Sequence, residues 1–168
     1  LNAKNFGVPQ NRERLIYIGN CLGIDNEQIF NEIFALSENI PEHNLGDALF
    51  ALRELEASRV KNATESGSVE SGYKIEKNNS IEINNYISYI NQNRTINVVL
   101  NHKARYNNDR DIEIYGRMEP GDRSDDPKIA DIMPYARRND IFKDKYFKLE
   151  NDKVCKTITA HMKFDCNM

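Results

Sequence analysis

The stretch "GVPQNRERLIYIG", residues 7–19, combines a turn signal, alternating polar side chains and a short apolar run. Gly7 permits a sharp turn, and the residue before the proline is biased toward extended backbone. In an extended chain, residues two apart share a face, so Gln10, Arg12 and Arg14 are expected to point to the same side. The segment therefore predicts a strand edge that presents two guanidinium groups.

The apolar run at 15–18 ends at Gly19 and predicts a strand that is covered on both faces. Guanidinium groups beside a buried strand need anions or acceptors, because an unpaired buried charge is costly. Two explanations stay open. The arginines bind an anionic or polar ligand, or they pair with Glu13 or another local carboxylate on a solvated edge.

Composition limits the possible classes of protein. The chain has 168 residues, of which 39% are hydrophobic and 29% charged, enough for one ordinary domain or for one small domain plus pieces of another. The net charge of −3 neither indicates nor excludes a local nucleic-acid surface. No apolar run is long enough to span a membrane, and we expect no membrane partner. The three cysteines and three histidines lack metal-type spacing, which predicts reduced thiols in the cytoplasm and no metal site.

Periodicity places the other elements. Helices are predicted in "DNEQIFNEIFAL", behind a cap at Asp25, and in "GDALFALRELEAS", "IEINNYISYINQN" and "NDRDIEIYGRMEPGD". Ile29, Phe30, Ile33 and Phe34 fall on one side of the first helix and are expected to be core. Strands are predicted in "TINVVLNHKAR" and "KTITAHMKF". The polar stretch at 60–80 is expected to be a flexible surface loop.

These motifs resemble a known family. "FGVPQNRERLIYIG" is similar to the segment of bacterial DNA (cytosine-5) methyltransferases that contains a Gln-x-Arg-x-Arg core. Three further stretches follow in the family's order: "LGDALFALREL", "LNHKARYNNDRDIEIYGRMEPGD" and "YFKLENDKVCKTITAHMKFD". The last two resemble the target-recognition region and the segment that returns from it to the catalytic domain.

The resemblance implies an α/β fragment from the edge of a doubly wound, Rossmann-like methyltransferase sheet, plus a small α+β target-recognition domain. Residues 1–59 would be the C-terminal part of the catalytic domain and residues 60–156 the recognition domain. Residues 157–168 would be a truncated segment that returns to the catalytic domain.

The family's catalytic signatures are missing from this sequence. No proline precedes a cysteine, although the family's nucleophile belongs to a Pro-Cys pair, and no two glycines lie two apart, as its S-adenosylmethionine loop requires. We therefore expect a C-terminal piece that is inactive alone and binds no cofactor. The complete enzyme would use S-adenosyl-L-methionine.

The resemblance also implies roles for the three alternating side chains. Arg14 is the candidate cation that stabilises the attacked cytosine, or that contacts the flanking phosphate. Arg12 would brace the base pocket or pair with an acid from the missing half, and Gln10 would position the loop. Arginine suits such a site because its planar fork binds two acceptors at fixed geometry.

Donors for double-stranded DNA are expected in the recognition region and in the returning strand. The candidates are Asn101, His102, Lys103, Arg105, Arg110, Arg137, Arg138, Thr157, Thr159, His161 and Lys163. The alternative is a solvated charged face, since Asp109, Asp111, Glu113 and Asp140 interleave with these cations.

Two functions are open at this point. The chain is the target-recognition part of a cytosine-5 DNA methyltransferase, in a restriction-modification system, or it is a stand-alone DNA-binding or interaction module derived from one. Because the first strands would lack sheet partners, we expect residues 1–20 to dimerise or to borrow a partner from the missing catalytic half.

Overall fold

The computed structural model describes residues 1–61, 66–77, 82–92, 94, 97–134, 136–138, 146–157 and 166–167. The chain divides into two compact units. The first comprises residues 1–48 and 150–159, and the second comprises residues 49–149 and 160–168. The second unit is therefore formed mainly by a continuous insertion into the first.

The helices and strands are short and mixed along the chain. The α-helices are α1 (Asn26–Ser37), α2 (Leu45–Leu49), α3 (Asn85–Ile90) and α4 (Asp109–Arg117), and 3-10 turns occupy Ala3–Phe6, Pro127–Ile129 and Ala136–Arg138. The strands are β1 (Gln10–Asn11), β2 (Gly72–Lys77), β3 (Val98–Lys103), β4 (Tyr146–Phe147), β5 (Cys155–Lys156) and β6 (Cys166–Asn167). The architecture is a small mixed α/β fold.

The first unit is closed by contacts between its two distant chain segments. β1 pairs in parallel with β5, with Gln10 opposite Cys155, and the Cys155 amide donates to the Pro9 carbonyl at 2.9 Å. The amides of Leu45 and Gly46, at the start of α2, donate to carbonyls of the returning segment at 2.9 and 2.8 Å. These bonds join residues 150–157 to the beginning of the chain.

The second unit contains the main hydrophobic core and an antiparallel ribbon. The core cluster consists of Ile114, Tyr115, Met118, Ile129, Met133 and Tyr146, and α4 supplies its first two members. β2 pairs with β3 in a register that sets Tyr73 opposite His102 and Ile75 opposite Leu100. β4 pairs in parallel with β6.

Local capping explains where the predicted helices begin. Asp25 accepts a hydrogen bond from the Glu27 amide at the start of α1, and Asn84 and Asn108 cap α3 and α4 in the same way. These helices and β3 confirm the sequence predictions. The second helix is shorter than predicted, because α2 ends at Leu49.

Two predictions of burial are wrong. Residues 15–18 form no strand, and the side chains of Leu15 and Tyr17 are 78% and 85% exposed. A strand needs a hydrogen-bonded neighbour, and no strand in the described ranges lies beside this run. The apolar stripe of α1 is not core either, since no α1 residue is buried and Phe34 is 53% exposed.

The stretch at 60–80 is not a loop throughout, because it contains β2. In β2, Tyr73 and Ile75 alternate with charged residues, a pattern that the polar composition of the whole stretch does not indicate. The strand forms by pairing with β3. Among the described helices, none combines the length and apolarity that crossing a lipid bilayer requires.

Candidate functional site

The backbone around Arg12 is anchored by Asn2, a residue that no motif or periodicity singles out. The Asn2 side-chain oxygen accepts from the Arg12 amide at 3.1 Å and from the Lys4 amide at 3.2 Å. Its amide nitrogen donates to Asn11 Oδ1 at 2.6 Å, and the Ala3 amide donates to the Arg12 carbonyl at 3.0 Å. A single asparagine thus connects the first turn to the Gln-x-Arg-x-Arg segment.

The turn that precedes this segment depends on Gly7. This residue is buried, has a φ of 75°, and its N–H caps the 3-10 turn by donating to the carbonyls of Ala3 and Lys4. A Cβ at this position would lie 2.9 Å from Ile40 Cγ2. Glycine is required here both for the left-handed backbone and for the close approach of Ile40.

Exposure alternates along the segment as far as Glu13. Gln10 and Arg12 are half-buried, whereas Asn11 and Glu13 are exposed. Arg14 departs from the alternation because it is exposed as well.

Arg14 has a fixed backbone and a side chain at the surface. Its amide donates to the Leu1 carbonyl and its carbonyl accepts from the Leu1 amino group, both at 2.9 Å. Its guanidinium Nη1 donates to the Glu13 carbonyl at 2.6 Å. The position of the residue is therefore set by backbone bonds, and the side chain keeps donors for another acceptor.

Neither guanidinium of the segment forms an ion pair within the described part of the chain. Arg12 and Arg14 have no carboxylate oxygen within 4.0 Å there, and Glu13 does not pair with either of them. The explanation in which a local carboxylate neutralises these arginines is thus not supported among these residues. Both cations are available to an anionic or polar ligand.

The returning segment lies against the same strand. Thr157 Oγ1 donates to the Asn11 carbonyl at 2.6 Å, directly after β5. Cys155 is buried opposite Gln10, and burial raises the pKa of its thiol above the ordinary value, although Lys156 acts in the opposite direction. A thiol of raised pKa stays protonated at neutral pH and is a poor nucleophile.

Several predicted DNA donors follow one another in the second unit. Asn101 is exposed, with a φ of 57°, and His102 Nε2 lies 2.8 Å from the Arg53 carbonyl. The Lys103 ammonium donates to the Ser66 carbonyl, while Arg105 is exposed. These four residues form the end of β3 and the turn that follows it.

The other predicted donors are dispersed or lie outside the described residues. Arg110 on α4 and Arg137 in the last 3-10 turn are exposed. The backbone of Arg138 is described but its side chain is not, and Thr159, His161 and Lys163 fall in undescribed positions.

The acids that interleave with the recognition cations are mostly bound to other groups. Asp109 pairs with Arg59, and Glu113 pairs with Arg117 at 2.5 Å. Asp111 is buried and accepts from Tyr146 Oη and Asn108 Nδ2, each at 2.9 Å, while Arg110 Nε lies 3.9 Å from it. These three acids therefore neutralise the predicted donors only weakly, and the fourth interleaving acid, Asp140, lies outside the described residues.

The described residues offer little for a cofactor or a metal ion. None of the strands that the structure describes is followed directly by a glycine-rich turn. No group of three His, Cys, Asp or Glu side chains in these ranges is placed to bind a metal.

The structure thus defines a small mixed α/β protein in which an arginine segment, without carboxylate partners among the described residues, lies beside a parallel strand pair. The model of the C-5 cytosine-specific DNA methylase family matches residues 1–164, and the chain belongs to that family. Searches of the curated proteins and of the solved structures found no match.

Proposed function

We propose that this chain is the target-recognition part of a DNA (cytosine-5-)-methyltransferase and that it works with a separate catalytic half. The family match supports the reaction class. The two-unit organisation supports separate catalytic and recognition parts, because residues 49–149 form an insertion between two segments that are hydrogen-bonded to each other. The first unit is then the edge of a doubly wound catalytic sheet, and the second is the recognition domain.

Arg14 is assigned to the target base. An enzyme of this class must extrude the cytosine before its ring can be attacked. A thiolate that adds to C6 forms a sulfur–carbon bond and drives electron density toward N3 and O2. A fixed cation near O2 stabilises that charge, or the same cation contacts the flanking phosphate.

This assignment depends on one observation, that the positive charges of the arginine segment are not neutralised by carboxylates of the described residues. Arg12 and Arg14 have no carboxylate partner in the described part of the chain, and backbone bonds to Leu1 hold Arg14 in place. Arg12 is half-buried, which suits a residue that braces the pocket or pairs with an acid from the catalytic half. Gln10, paired opposite Cys155, would position the loop.

The nucleophile and the cofactor loop are assigned to the catalytic half. Cys155 is buried and its pKa is raised, so it does not serve as the thiolate. S-adenosylmethionine would supply the methyl group when bound to the complete enzyme. The chain alone is accordingly inactive, and its cellular role would be modification of DNA in the cytoplasm, as part of a restriction-modification system.

The catalytic half would cover the apolar run at 15–18. Leu15, Ile16 and Tyr17 are 78%, 44% and 85% exposed, although their sequence is typical of a buried strand. Such a run takes up backbone hydrogen bonds from a neighbouring strand, and the catalytic half is the partner we assign to it. A second copy of this chain, paired through residues 1–20, is the competing occupant.

DNA contacts are assigned to the donors at the end of β3 and in the turn that follows it, on α4 and in the last 3-10 turn, and to the returning strand. Two of the acids between them, Asp109 and Glu113, pair with Arg59 and Arg117 instead, which favours a DNA surface over a solvated face. Base edges would be read by the amide and guanidinium groups of this set.

Complementation tests the proposal. The chain is mixed with an amino-terminal methylase half that carries the Pro-Cys nucleophile and the cofactor loop, and methyl transfer to double-stranded DNA is measured. We expect transfer only in the mixture. DNA binding without transfer would contradict the proposal and favour the second candidate, a stand-alone binding module.

A further inference from the structure

The backbone of Arg12 is held by residues 2 and 3 rather than by the parallel strand pair. β1 ends at Asn11, so its pairing with β5 does not extend to Arg12. The Arg12 amide donates to the side-chain oxygen of Asn2 at 3.1 Å, and the Arg12 carbonyl accepts from the Ala3 amide at 3.0 Å. Both backbone groups of Arg12 thus depend on this early segment.

The side chain of Asn2 is itself fixed at both ends of its amide. Its Oδ1 also accepts from the Lys4 amide at 3.2 Å, which caps the first 3-10 turn. Its Nδ2 donates to Asn11 Oδ1 at 2.6 Å. An asparagine amide supplies an acceptor and a donor on one rigid group, so these bonds join the turn, the end of β1 and Arg12.

The guanidinium that this anchor controls belongs to the arginine segment. Arg12 is half-buried and has no carboxylate oxygen within 4.0 Å in the described ranges. Within that part of the chain, its direction is therefore set by its backbone rather than by an ion pair. A residue that braces a pocket must be held in place before the reaction, because a shift of about 1 Å can cost about 10²-fold in rate.

We propose that Asn2 is a positioning residue of the target-base pocket, which acts on methyl transfer through the backbone of Arg12. The inference rests on the proposed function, in which Arg12 braces that pocket. Asn2 does not contact the base. It adds to the site a residue outside the Gln-x-Arg-x-Arg segment.

The test uses the chain complemented with a saturating amino-terminal methylase half, and it measures kcat and the DNA dissociation constant. Asn2→Ala removes the side-chain bond to the Arg12 amide but leaves the backbone bond from Ala3. We expect kcat to fall about ten- to hundredfold, because Arg12 is no longer held in place, and DNA affinity to change by less than about twofold.

Two further substitutions of Asn2 separate positioning from capping of the turn. Asn2→Asp keeps an acceptor of the same shape and should retain most of kcat, since the exposed Asn11 amide can turn to donate to it. Asn2→Ser keeps a good cap for the turn, but its hydroxyl lies one bond nearer the backbone than Oδ1. Asn2→Ser should therefore preserve folding and still lower kcat.

The matched control is Asn44→Ala. Asn44 lies in the same unit, is half-buried like Asn2, and accepts from the Asp47 amide at 2.8 Å at the start of α2. Both alanine substitutions remove a capping side chain and should lower the urea midpoint. Only Asn2→Ala should lower kcat, so a loss of stability alone is distinguished from a loss of positioning.

A double-variant cycle tests whether Asn2 acts through Arg12. In a chain that already carries Arg12→Ala, Asn2→Ala should lower kcat by less than about twofold further, because the group that it positions is absent. If the two separate losses multiply in full, Asn2 acts independently of Arg12 and the inference is overturned.

The remaining outcomes separate this inference from the function on which it rests. If the unmodified chain and the catalytic half together transfer no methyl group, the proposed function fails and this inference fails with it. If transfer occurs but Asn2→Ala and Asn2→Ser keep the full kcat, only this inference is overturned. Equal losses of kcat in Asn2→Ala and Asn44→Ala would overturn it as well.

Discussion

Thr157 donates a 2.6 Å hydrogen bond to the Asn11 carbonyl, although 146 positions separate the two residues. This bond continues the β1–β5 pairing by one residue and holds the returning segment against the arginine segment. Thr157→Val removes the hydroxyl with little change of shape and should lower the free energy of unfolding by about 1 kcal/mol. Urea unfolding measures the change. Thr157→Ser keeps the hydroxyl and should recover most of the loss, whereas equal effects of Val and Ser would refute a role for the bond.

Gly7 and Gly23 form a natural comparison, because their φ values are 75° and 73°. Alanine at either position carries the left-handed backbone strain of about 1 kcal/mol. Only at Gly7 would the new Cβ meet Ile40 Cγ2, at 2.9 Å, since Gly23 has open space around it. Gly7→Ala should therefore destabilise the chain by more than Gly23→Ala does in urea unfolding. Equal losses of unfolding free energy at the two positions would mean that the Ile40 side chain moves away from the new Cβ without destabilising the chain.

The buried carboxylate of Asp111 accepts from the Tyr146 hydroxyl within the second unit. Tyr146→Phe removes a donor from this buried acceptor and should lower the free energy of unfolding by about 1–3 kcal/mol. Tyr17→Phe serves as the control, because Tyr17 is 85% exposed and its change should stay within about 0.5 kcal/mol. If Tyr146→Phe leaves the free energy of unfolding unchanged, the hydrogen bond does not stabilise the unit.

The Lys128 ammonium hydrogen-bonds Asp122 and, together with the Glu119 amide, lowers the pKa of that carboxyl below its ordinary value. A carboxyl whose pKa is lower in the folded state stabilises the protein above the unfolded pKa, about 3.9, and this stabilisation is lost as pH falls through the folded value. Lys128→Met should lower the urea midpoint at neutral pH. The difference in midpoint between the variant and the unmodified chain should disappear at acid pH. A difference that is constant down to about pH 2 would contradict this coupling.

The sequence predicted the elements that are governed by local capping. Asp25 and Asn108 begin α1 and α4 as side-chain acceptors, and such caps can be recognised within a few residues. Pairings between distant segments carry no comparable signal. Nothing near Gln10 indicates Cys155 as its partner, and nothing in the polar 60–80 stretch indicates that β2 pairs with β3.

For the candidate site too, the sequence predicted the local pattern but not the tertiary contacts. The spacing of Gln10, Arg12 and Arg14 indicated a cationic segment, but whether a carboxylate neutralises it depends on the tertiary structure. The anchoring of Arg12 by Asn2 depends on a turn geometry that alternation does not encode. The run at 15–18 is the opposite case: its sequence is typical of a strand, but no described strand lies beside it, and Leu15, Ile16 and Tyr17 are exposed.

The most direct measurement of the central claim is the effect of Arg14→Ala on the complemented enzyme, with kcat and the DNA dissociation constant measured on the same preparation. A cation that stabilises charge on the attacked base acts in the transition state, so kcat should fall by about 10²-fold or more while DNA affinity changes little. Arg14→Lys should retain part of the activity, because it keeps the charge and loses the fork. Small and equal losses in kcat and in affinity would contradict the assignment of Arg14 to the target base.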